Sequence, residues 1–233
     1  MQNKITYQLK RSNRKTIALH ITQDGLEVRA PNRVSQKRID AFIDSKFDWI
    51  QANLEYMHKL KQSRHAFNLD YNTSIIIFGK EFLISASSYE DSRQGVVAIE
   101  DKLVVPAGKT SEEIKKIVIA FYKKMSREYL AERVKFHSNA MGISEPTIRI
   151  TSARTRWGSC NAKGGVNFSW MLMMADKDAI DYVVVHELSH IICHNHSSQF
   201  WNIVSKYCPD YKSAKKNLRL LAQRLNKENW KVN

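Results

Sequence analysis

The stretch that decides the fold is His186-Glu-Leu-Ser-His-Ile-Ile-Cys-His-Asn-His196, which holds four of the chain's eight histidines. The spacing of His186 and His190 places both imidazoles on one face of a helix, about one turn apart. Two ligands of one tetrahedral zinc ion require this geometry. Glu187 follows the first histidine directly, so its carboxylate lies beside the metal, where it can take a proton from zinc-bound water. The stretch therefore predicts a zinc hydrolase.

The residues before this stretch predict that it lies on a buried helix. Asp181-Tyr-Val-Val-Val185 is an apolar run that suits a helix or a strand. Asp176 or Asp178 can cap a helix that runs over about 177–193. An ordinary core helix with hydrogen-bonded histidines is the alternative. We favour the metal-binding helix, because a core helix has no need of a glutamate between two histidines on an apolar run.

A catalytic zinc site usually has three protein ligands and a water, so a third ligand is needed. His196 lies six residues after His190, the offset of the last histidine in the longer pattern His-Glu-x-x-His-x-x-Gly-x-x-His. Cys193 stands where that pattern has glycine, so we expect Asn195 to take the left-handed conformation that ends the helix. Ser197 or Ser198 can then cap a following helix. The alternatives to His196 are His194, a downstream carboxylate (Asp210 or Glu228) and Cys193.

Length and composition describe a globular chain. It has 233 residues and 27.0 kDa, with 43% hydrophobic and 26% charged residues, enough for one large domain or two small ones. The N-terminus lacks the apolar core of a signal peptide, and no run approaches the length of a membrane span. Three scattered cysteines, Cys160, Cys193 and Cys208, argue against a disulfide framework. These features predict a cytoplasmic protein that does not enter a membrane.

The formal charge of +14 predicts attraction to anions: nucleic acid, nucleotides or an acidic protein surface. Near the C-terminus, Leu218, Leu221 and Leu225 have helical spacing, with basic residues between them. We interpret this segment as an amphipathic helix with a solvated basic face; a face that contacts phosphates is the alternative. Its basic residues are Lys212, Lys215, Lys216, Arg219 and Arg224.

The order of strand and helix patterns predicts an α+β fold. Residues 1–109 form a β-rich N-terminal half with one long helix, and residues 110–233 form a mostly helical half with a small sheet and the active-site helix. A capping box at Thr110 and Glu113 begins the second half. The long helix is predicted over 36–62. Strands are predicted at 5–9, 16–21, 26–30, 74–78, 81–85, 96–99, 103–105, 147–152 and from 166 to about 173.

Several further motifs carry a family resemblance. They are the segment Ser197-Ser-Gln-Phe-Trp201 after the histidine stretch, Arg154-Thr-Arg-Trp-Gly-Ser-Cys160 and Gly164-Gly-Val-Asn-Phe-Ser-Trp170. With these motifs the chain resembles the YgjP-like family of predicted zinc metallopeptidases, relatives of the SprT-like proteins. The resemblance implies a zincin-like catalytic domain that binds zinc through His186, His190 and His196. It also implies that Glu187 is the catalytic carboxylate.

Substrate contacts are predicted on the segment between the two helices of the second half of the chain. The planar guanidinium groups of Arg154 and Arg156 suit a carboxylate or a phosphate; an arginine that fixes the turn or pairs with a nearby acid is the alternative. We interpret Trp157 as a core or wall residue, with a platform on which a base stacks as the alternative. From the resemblance to zinc peptidases built around this kind of helix, we expect Val166–Trp170, with Phe168, to be an edge strand that holds an extended substrate by backbone pairing. The side chains of His194, Tyr182 and Arg156 could each stabilise a developing oxyanion, and the sequence does not rank them.

Three function classes remain open on the sequence. A peptidase is favoured, because His-Glu-x-x-His on a helix most often serves amide hydrolysis. A nucleoside triphosphate pyrophosphatase is the second, since the same chemistry could attack phosphorus, but no Gly-rich phosphate loop or carboxylate cluster for Mg²⁺ is present. The third is a nucleic-acid-associated module with structural zinc, which would have four protein ligands and no water. The oligomeric state cannot be read from the sequence.

Overall fold

The computed structural model describes residues 5–22, 24–87 and 96–232 and has the α+β fold that the sequence predicts. The chain divides into two compact units, Met1–Phe67 and Asn68–Asn233. The predicted boundary near residue 109 concerns the change from strands to helices, and it stays a prediction. None of the described helices combines the length and the apolar character that a membrane span needs.

The first unit is a three-stranded sheet with two helices. Its strands lie in the order β1-β3-β2, with β3 parallel to β1 and antiparallel to β2. Alternate residues of β3, Leu26, Val28 and Ala30, are buried in one cluster with Ile39 and Ile50 of the helices. The elements are β1 (Tyr7–Ser12), β2 (Ala18–Thr22), β3 (Gly25–Pro31), α1 (Gln36–Asp44) and α2 (Phe47–Ala66).

The single helix predicted over 36–62 is wrong, because α1 and α2 are separate helices. The hydroxyl of Ser45 donates a hydrogen bond to the Phe42 carbonyl at 2.8 Å, and Lys46 leaves the helical conformation. A hydroxyl that bonds the preceding turn competes with the helical backbone pattern. The apolar stripe continues across the break, which is why periodicity alone did not reveal it.

The second unit begins with a four-stranded sheet in the order β4-β5-β7-β6. The strands predicted at 74–78, 81–85, 96–99 and 103–105 are confirmed. They form two antiparallel hairpins, and a parallel pairing of β5 with β7 joins them. The helix α3 (Ser111–Met141) follows, and Thr110 and Glu113 form the predicted capping box at its start. The strands are β4 (Ser74–Ile77), β5 (Lys80–Ala86), β6 (Val97–Ile99) and β7 (Lys102–Val105).

A second small sheet follows α3, and its strand order corrects a prediction. It consists of β8 (Ile148–Thr151), β9 (Gly158–Cys160) and β10 (Val166–Ser169) in the order β8-β10-β9. Because β10 pairs on both sides, the prediction that Val166–Trp170 is an edge strand is wrong, and β9 is an edge. The strand also ends earlier than predicted, because residues Trp170–Met174 form a buried 3₁₀ helix.

Three helices complete the second unit: α4 (Lys177–Ile192), α5 (Ser198–Tyr207) and α6 (Tyr211–Leu225). The predicted amphipathic helix at the C-terminus is confirmed. Leu218 and Leu225 are buried, while Lys212, Lys216 and Arg219 are exposed. Phosphate binding by this basic face stays a prediction.

Candidate metal centre

Helix α4 carries the first two predicted ligands and is fixed at both its start and its middle. The Asp176 side chain accepts a hydrogen bond from the Ala179 N–H at 2.8 Å, which caps the helix. Asp181 accepts two hydrogen bonds from the Arg133 guanidinium of α3, at 2.6 and 2.8 Å. The valines at 183–185 are buried, so this part of the helix is held in the core. The histidine-bearing turns therefore have a rigid support.

His186 and His190 lie on one face of α4, as their spacing predicts. Their ring centroids are 5.0 Å apart. The Nδ1 atom of His190 lies 3.3 Å from the Cys193 carbonyl oxygen. An Nδ1–H donated to that carbonyl fixes the ring and leaves the Nε2 lone pair for a metal ion.

The turn after α4 is made differently from the prediction. Asn195 does not take the left-handed conformation, since the described non-glycine residues with positive φ are elsewhere in the chain. Cys193 is extended, and the side-chain oxygen of Asn195 accepts a hydrogen bond from the Ser197 N–H at 3.1 Å. This is an Asx turn, in which the side chain replaces a backbone acceptor. It leads into α5, whose N-cap is Ser197, as predicted.

This turn returns His196 to the two histidines of α4. The Nε2 atoms of His196 and His186 are 3.3 Å apart. One nitrogen of each of the three histidines lies within 4.8 Å of the others. In a tetrahedral site with Zn–N bonds of about 2.0–2.1 Å, two ligand nitrogens lie about 3.3–3.4 Å apart. The His186–His196 spacing matches this value, and the three histidines together could hold a metal ion.

An aromatic floor supports the three imidazoles. Phe200 is fully buried, and its ring centroid lies 4.9 Å from that of His186, 4.6 Å from that of His190 and 4.8 Å from that of His196. The rings of Trp201 and His196 stack with their centroids 5.9 Å apart. This contact restrains His196, which among the three histidines of the site is the one outside a helix. Both aromatic residues belong to α5, so this helix completes the site.

The pKa values of the two α4 histidines favour their neutral form. Desolvation, together with the nearby His190, His196 and Lys215, lowers the pKa of His186 to about 4. Desolvation also lowers the pKa of His190. A neutral imidazole keeps the lone pair that a metal ligand needs. At neutral pH the site can bind a cation without first losing protons from these two rings.

Glu187 lines the same cleft as His186 and His190 and packs against Gly158 of β9. It is only 6% exposed, and burial raises the pKa of Glu187 to about 7, while a hydrogen bond from the Cys160 N–H and the charge of Arg156 lower it. A Cβ atom added to Gly158 would lie 2.6 Å from Oε1 and 2.7 Å from Cγ of Glu187. Gly158 is therefore the residue that lets the carboxylate lie against the strand.

Replacing Gly158 by alanine is expected to lower turnover by about 100-fold, the cost that a misplacement of about 1 Å can have. The added methyl group must displace either β9 or the Glu187 carboxylate, because their contact leaves no room for it. Metal content should stay at the wild-type level, since the three histidines are not touched. Steady-state kinetics and metal analysis of the purified variant measure both quantities.

The matched control is Ser159→Ala, which shortens the next side chain of β9. It should retain most of the activity. An alanine at position 158 with full activity would contradict the assigned packing of the carboxylate.

An open cleft of about 410 Å³ borders the three-histidine site. Two of the predicted substrate-binding residues, Arg156 and His194, line it. His194 is exposed and does not belong to the three-histidine group. The edge strand β9 forms one wall. The remaining lining residues are Gly158, Ser159, Cys160, Asn161, Ala162, His186, Glu187 and His190.

The other predicted substrate-binding residues lie elsewhere. Phe168 is fully buried in β10, and Arg154 donates a hydrogen bond to the Glu228 carbonyl at 2.8 Å, which ties it to the segment after α6. Trp157 is half-buried and lines a groove next to the cleft. Tyr182, a possible oxyanion donor, is buried against His186 at a ring distance of 5.7 Å. Burial raises the pKa of Tyr182 to about 12.

The sequence reasoning missed the role of β9. Gly158-Ser-Cys160 contains no run of strand-forming residues. The signal that could have indicated its role is its position after Arg154 and Arg156 and before Gly164-Gly165. A glycine in a strand often marks a close approach of another group, and here that group is Glu187.

Comparisons with known proteins identify the family of the chain. A family model described as "YgjP-like, metallopeptidase domain" matches residues 15–220. Among solved structures, the chain is similar to the metallopeptidase zymogen of Pyrococcus abyssi abylysin, with 22% identity and a TM-score of 0.36. That similarity covers 42% of this chain and 95% of the abylysin chain. A comparison with curated proteins gave no significant match.

Proposed function

Because the chain belongs to the YgjP-like family of metallopeptidase domains, and so is a metal-dependent hydrolase, we propose that it is a zinc peptidase with Glu187 as general base. The observation that carries this proposal is the three-histidine group beside a buried carboxylate on an open cleft. The three histidines leave the fourth position of a tetrahedral ion for water or substrate, as in catalytic rather than structural zinc sites.

Zinc is the metal that best suits these donors. Imidazole nitrogens bind it readily, and the nitrogen spacing of 3.3 Å between His186 and His196 agrees with tetrahedral geometry. A bound zinc ion would polarise the scissile carbonyl group and lower the pKa of a coordinated water. His190, held by the Cys193 carbonyl, and His196, held by Trp201, keep their positions as ligands.

Glu187 moves the proton in the proposed reaction. A general base works best when its pKa lies near the working pH, and burial brings the pKa of Glu187 to about 7. The carboxylate would take a proton from the attacking water and pass it to the nitrogen of the leaving amine. The hydrogen bond from the Cys160 N–H orients the carboxylate. Arg156, on the wall of the cleft, is the cation that we assign to a developing oxyanion.

The outer edge of β9 is the proposed binding site for an extended peptide. The Trp157 carbonyl and the Asn161 N–H bond to the β10 side, at 2.8 and 2.9 Å. In an antiparallel ladder the groups between such pairs point the other way, so the backbone groups of Gly158 and Cys160 face away from β10. The Gly158 N–H and C=O groups and the Cys160 C=O group can pair with a substrate strand.

We also propose a reducing, cytoplasmic location. All three cysteines are free thiols, which supports it. A peptide is the proposed substrate rather than a nucleotide, because the open edge of β9 offers backbone pairing along the cleft.

The test compares the full chain in zinc-loaded and chelator-treated form on two substrate panels. Short fluorogenic peptides report amide hydrolysis, and ³¹P NMR reports hydrolysis of nucleoside triphosphates. We expect peptide cleavage that zinc restores after chelation, and intact nucleotides. Nucleotide hydrolysis with intact peptides would replace the peptidase by a phosphoanhydride hydrolase. Tightly bound zinc with neither activity would favour a structural site.

A further inference from the structure

A second cavity lies beside the cleft, on the polar face of the small sheet. This groove, of about 220 Å³, runs across all three strands. In the sheet register, Arg149 of β8 lies opposite Asn167 of β10, which lies opposite Ser159 of β9. Residues directly opposite each other share one face, so this row crosses the groove. We call this cavity the arginine groove; it is lined by Arg149, Thr151, Ala153, Arg156, Trp157, Gly158, Ser159, Asn167 and Ser169.

The groove is positively charged and carries no acid. Arg149 and Arg156 are exposed, and none of the lining residues is Asp or Glu. Within the described chain, neither guanidinium group forms an ion pair with a carboxylate. An arginine fork that faces a groove without a carboxylate is available to bind one from outside.

The neutral polar groups of the groove are already occupied. The Ser169 hydroxyl donates to the Ala153 carbonyl at 2.7 Å, and the Thr151 hydroxyl donates to the Phe168 carbonyl at 3.3 Å. The Asn167 amide donates to the Ser159 hydroxyl at 3.2 Å. These bonds hold the polar side chains of the sheet in place, and the two guanidinium groups are the charged donors that line the groove.

The groove and the cleft are neighbours along β9. They share Arg156, Gly158 and Ser159. A peptide paired with the outer edge of β9 places alternate side chains on the two faces of the sheet. Those on the face of Ser159 extend over the arginine groove, while the backbone stays in the cleft.

We propose that the arginine groove is a subsite for a carboxylate side chain of the substrate, so that the enzyme selects peptides with Asp or Glu near the scissile bond. This inference rests on the proposed peptidase function and specifies its substrate class. Arg149 is the specificity-determining residue, because it lines the groove and not the cleft. Arg156 lines both, so its replacement would affect the chemistry as well.

The test uses pairs of peptides that differ only in Glu or Gln at one position, scanned along the sequence. At one position, kcat/KM should be higher for Glu than for Gln by about tenfold or more, the value of one charge-assisted hydrogen bond. Arg149→Glu should abolish this preference, so that the Glu and the Gln peptide are cleaved with similar kcat/KM. The matched control is Arg127→Glu, an exposed arginine on α3 that changes the net charge equally and lines neither cavity.

A binding measurement tests the subsite independently of the proposed peptidase activity. Fluorescence anisotropy with the full-length Glu187→Gln variant measures the affinity for the same labelled pairs without turnover. Tighter binding of the Glu peptide, lost on the additional Arg149→Glu change, supports the subsite even if the wild-type protein cleaves no peptide. Equal binding of both peptides at every position overturns the subsite, and cleavage of neutral peptides would leave the peptidase proposal intact.

Discussion

The Glu187→Gln variant is expected to lose about 10²- to 10⁴-fold in kcat, the range that a general base contributes. Glutamine has the same shape and can still accept the hydrogen bond from the Cys160 N–H, but it cannot take a proton from water. The three histidines are unchanged, so zinc content and zinc affinity should equal those of the wild type. Peptide kinetics together with metal analysis of the same preparation measure the two effects.

Folding stability provides an independent check on this variant. Burial disfavours the charged carboxylate, as its raised pKa shows, so a neutral amide at position 187 should leave the metal-free protein at least as stable. The control is Glu145→Gln, at an exposed position, which should keep full activity. Near-wild-type turnover in Glu187→Gln would show that this residue does not act as the general base.

The His196→Ala variant is expected to bind zinc more weakly by well over 100-fold. Even the loss of a group that only orients a ligand costs about 10- to 100-fold in metal affinity, and here a ligand itself is lost. His186 and His190 alone would leave a two-ligand site on α4. Competition with a chromophoric chelator measures the dissociation constants of the wild type and the variant.

A neighbouring histidine supplies the matched control for this experiment. His194 lies two residues before His196 and lines the cleft, but it does not belong to the three-histidine group. The His194→Ala variant should therefore keep wild-type zinc affinity. The reverse result, with zinc lost in His194→Ala and kept in His196→Ala, would show that His194 and not His196 is the third ligand.

The parts of the fold that depend on local pattern could be predicted from the sequence. Asp176 caps α4, and Thr110 with Glu113 caps α3, because capping depends on residues within one turn. The grouping of His186 and His190 follows from the helical period in the same way. The six-residue spacing from His190 predicts His196 as the third ligand. In the structure a ring nitrogen of His196 lies within 4.8 Å of one nitrogen each of His186 and His190.

The parts that depend on contacts distant in sequence could not be predicted. The resemblance predicts an edge at β10, but the sequence of Gly158-Ser-Cys160 does not indicate a strand, and the two partners of β10 are visible only in the fold. The closeness of Gly158 to Glu187 joins residues 29 positions apart through the packing of β9 on α4. The turn at Asn195 was predicted from backbone preference, whereas a side-chain hydrogen bond to Ser197 made left-handed backbone unnecessary.

The contact of Phe200 with all three imidazoles ties metal binding to the hydrophobic core. A phenyl ring that is fully buried cannot move without loosening α5, and its centroid lies within 4.9 Å of each ligand ring. Under the proposed function, zinc affinity would partly depend on core packing, and substitutions behind Phe200 would weaken binding of the ion although all three histidines are intact. By the same linkage, a bound ion raises the temperature at which α4 and α5 separate. The metal content of a heated sample would therefore report on the integrity of this corner of the core.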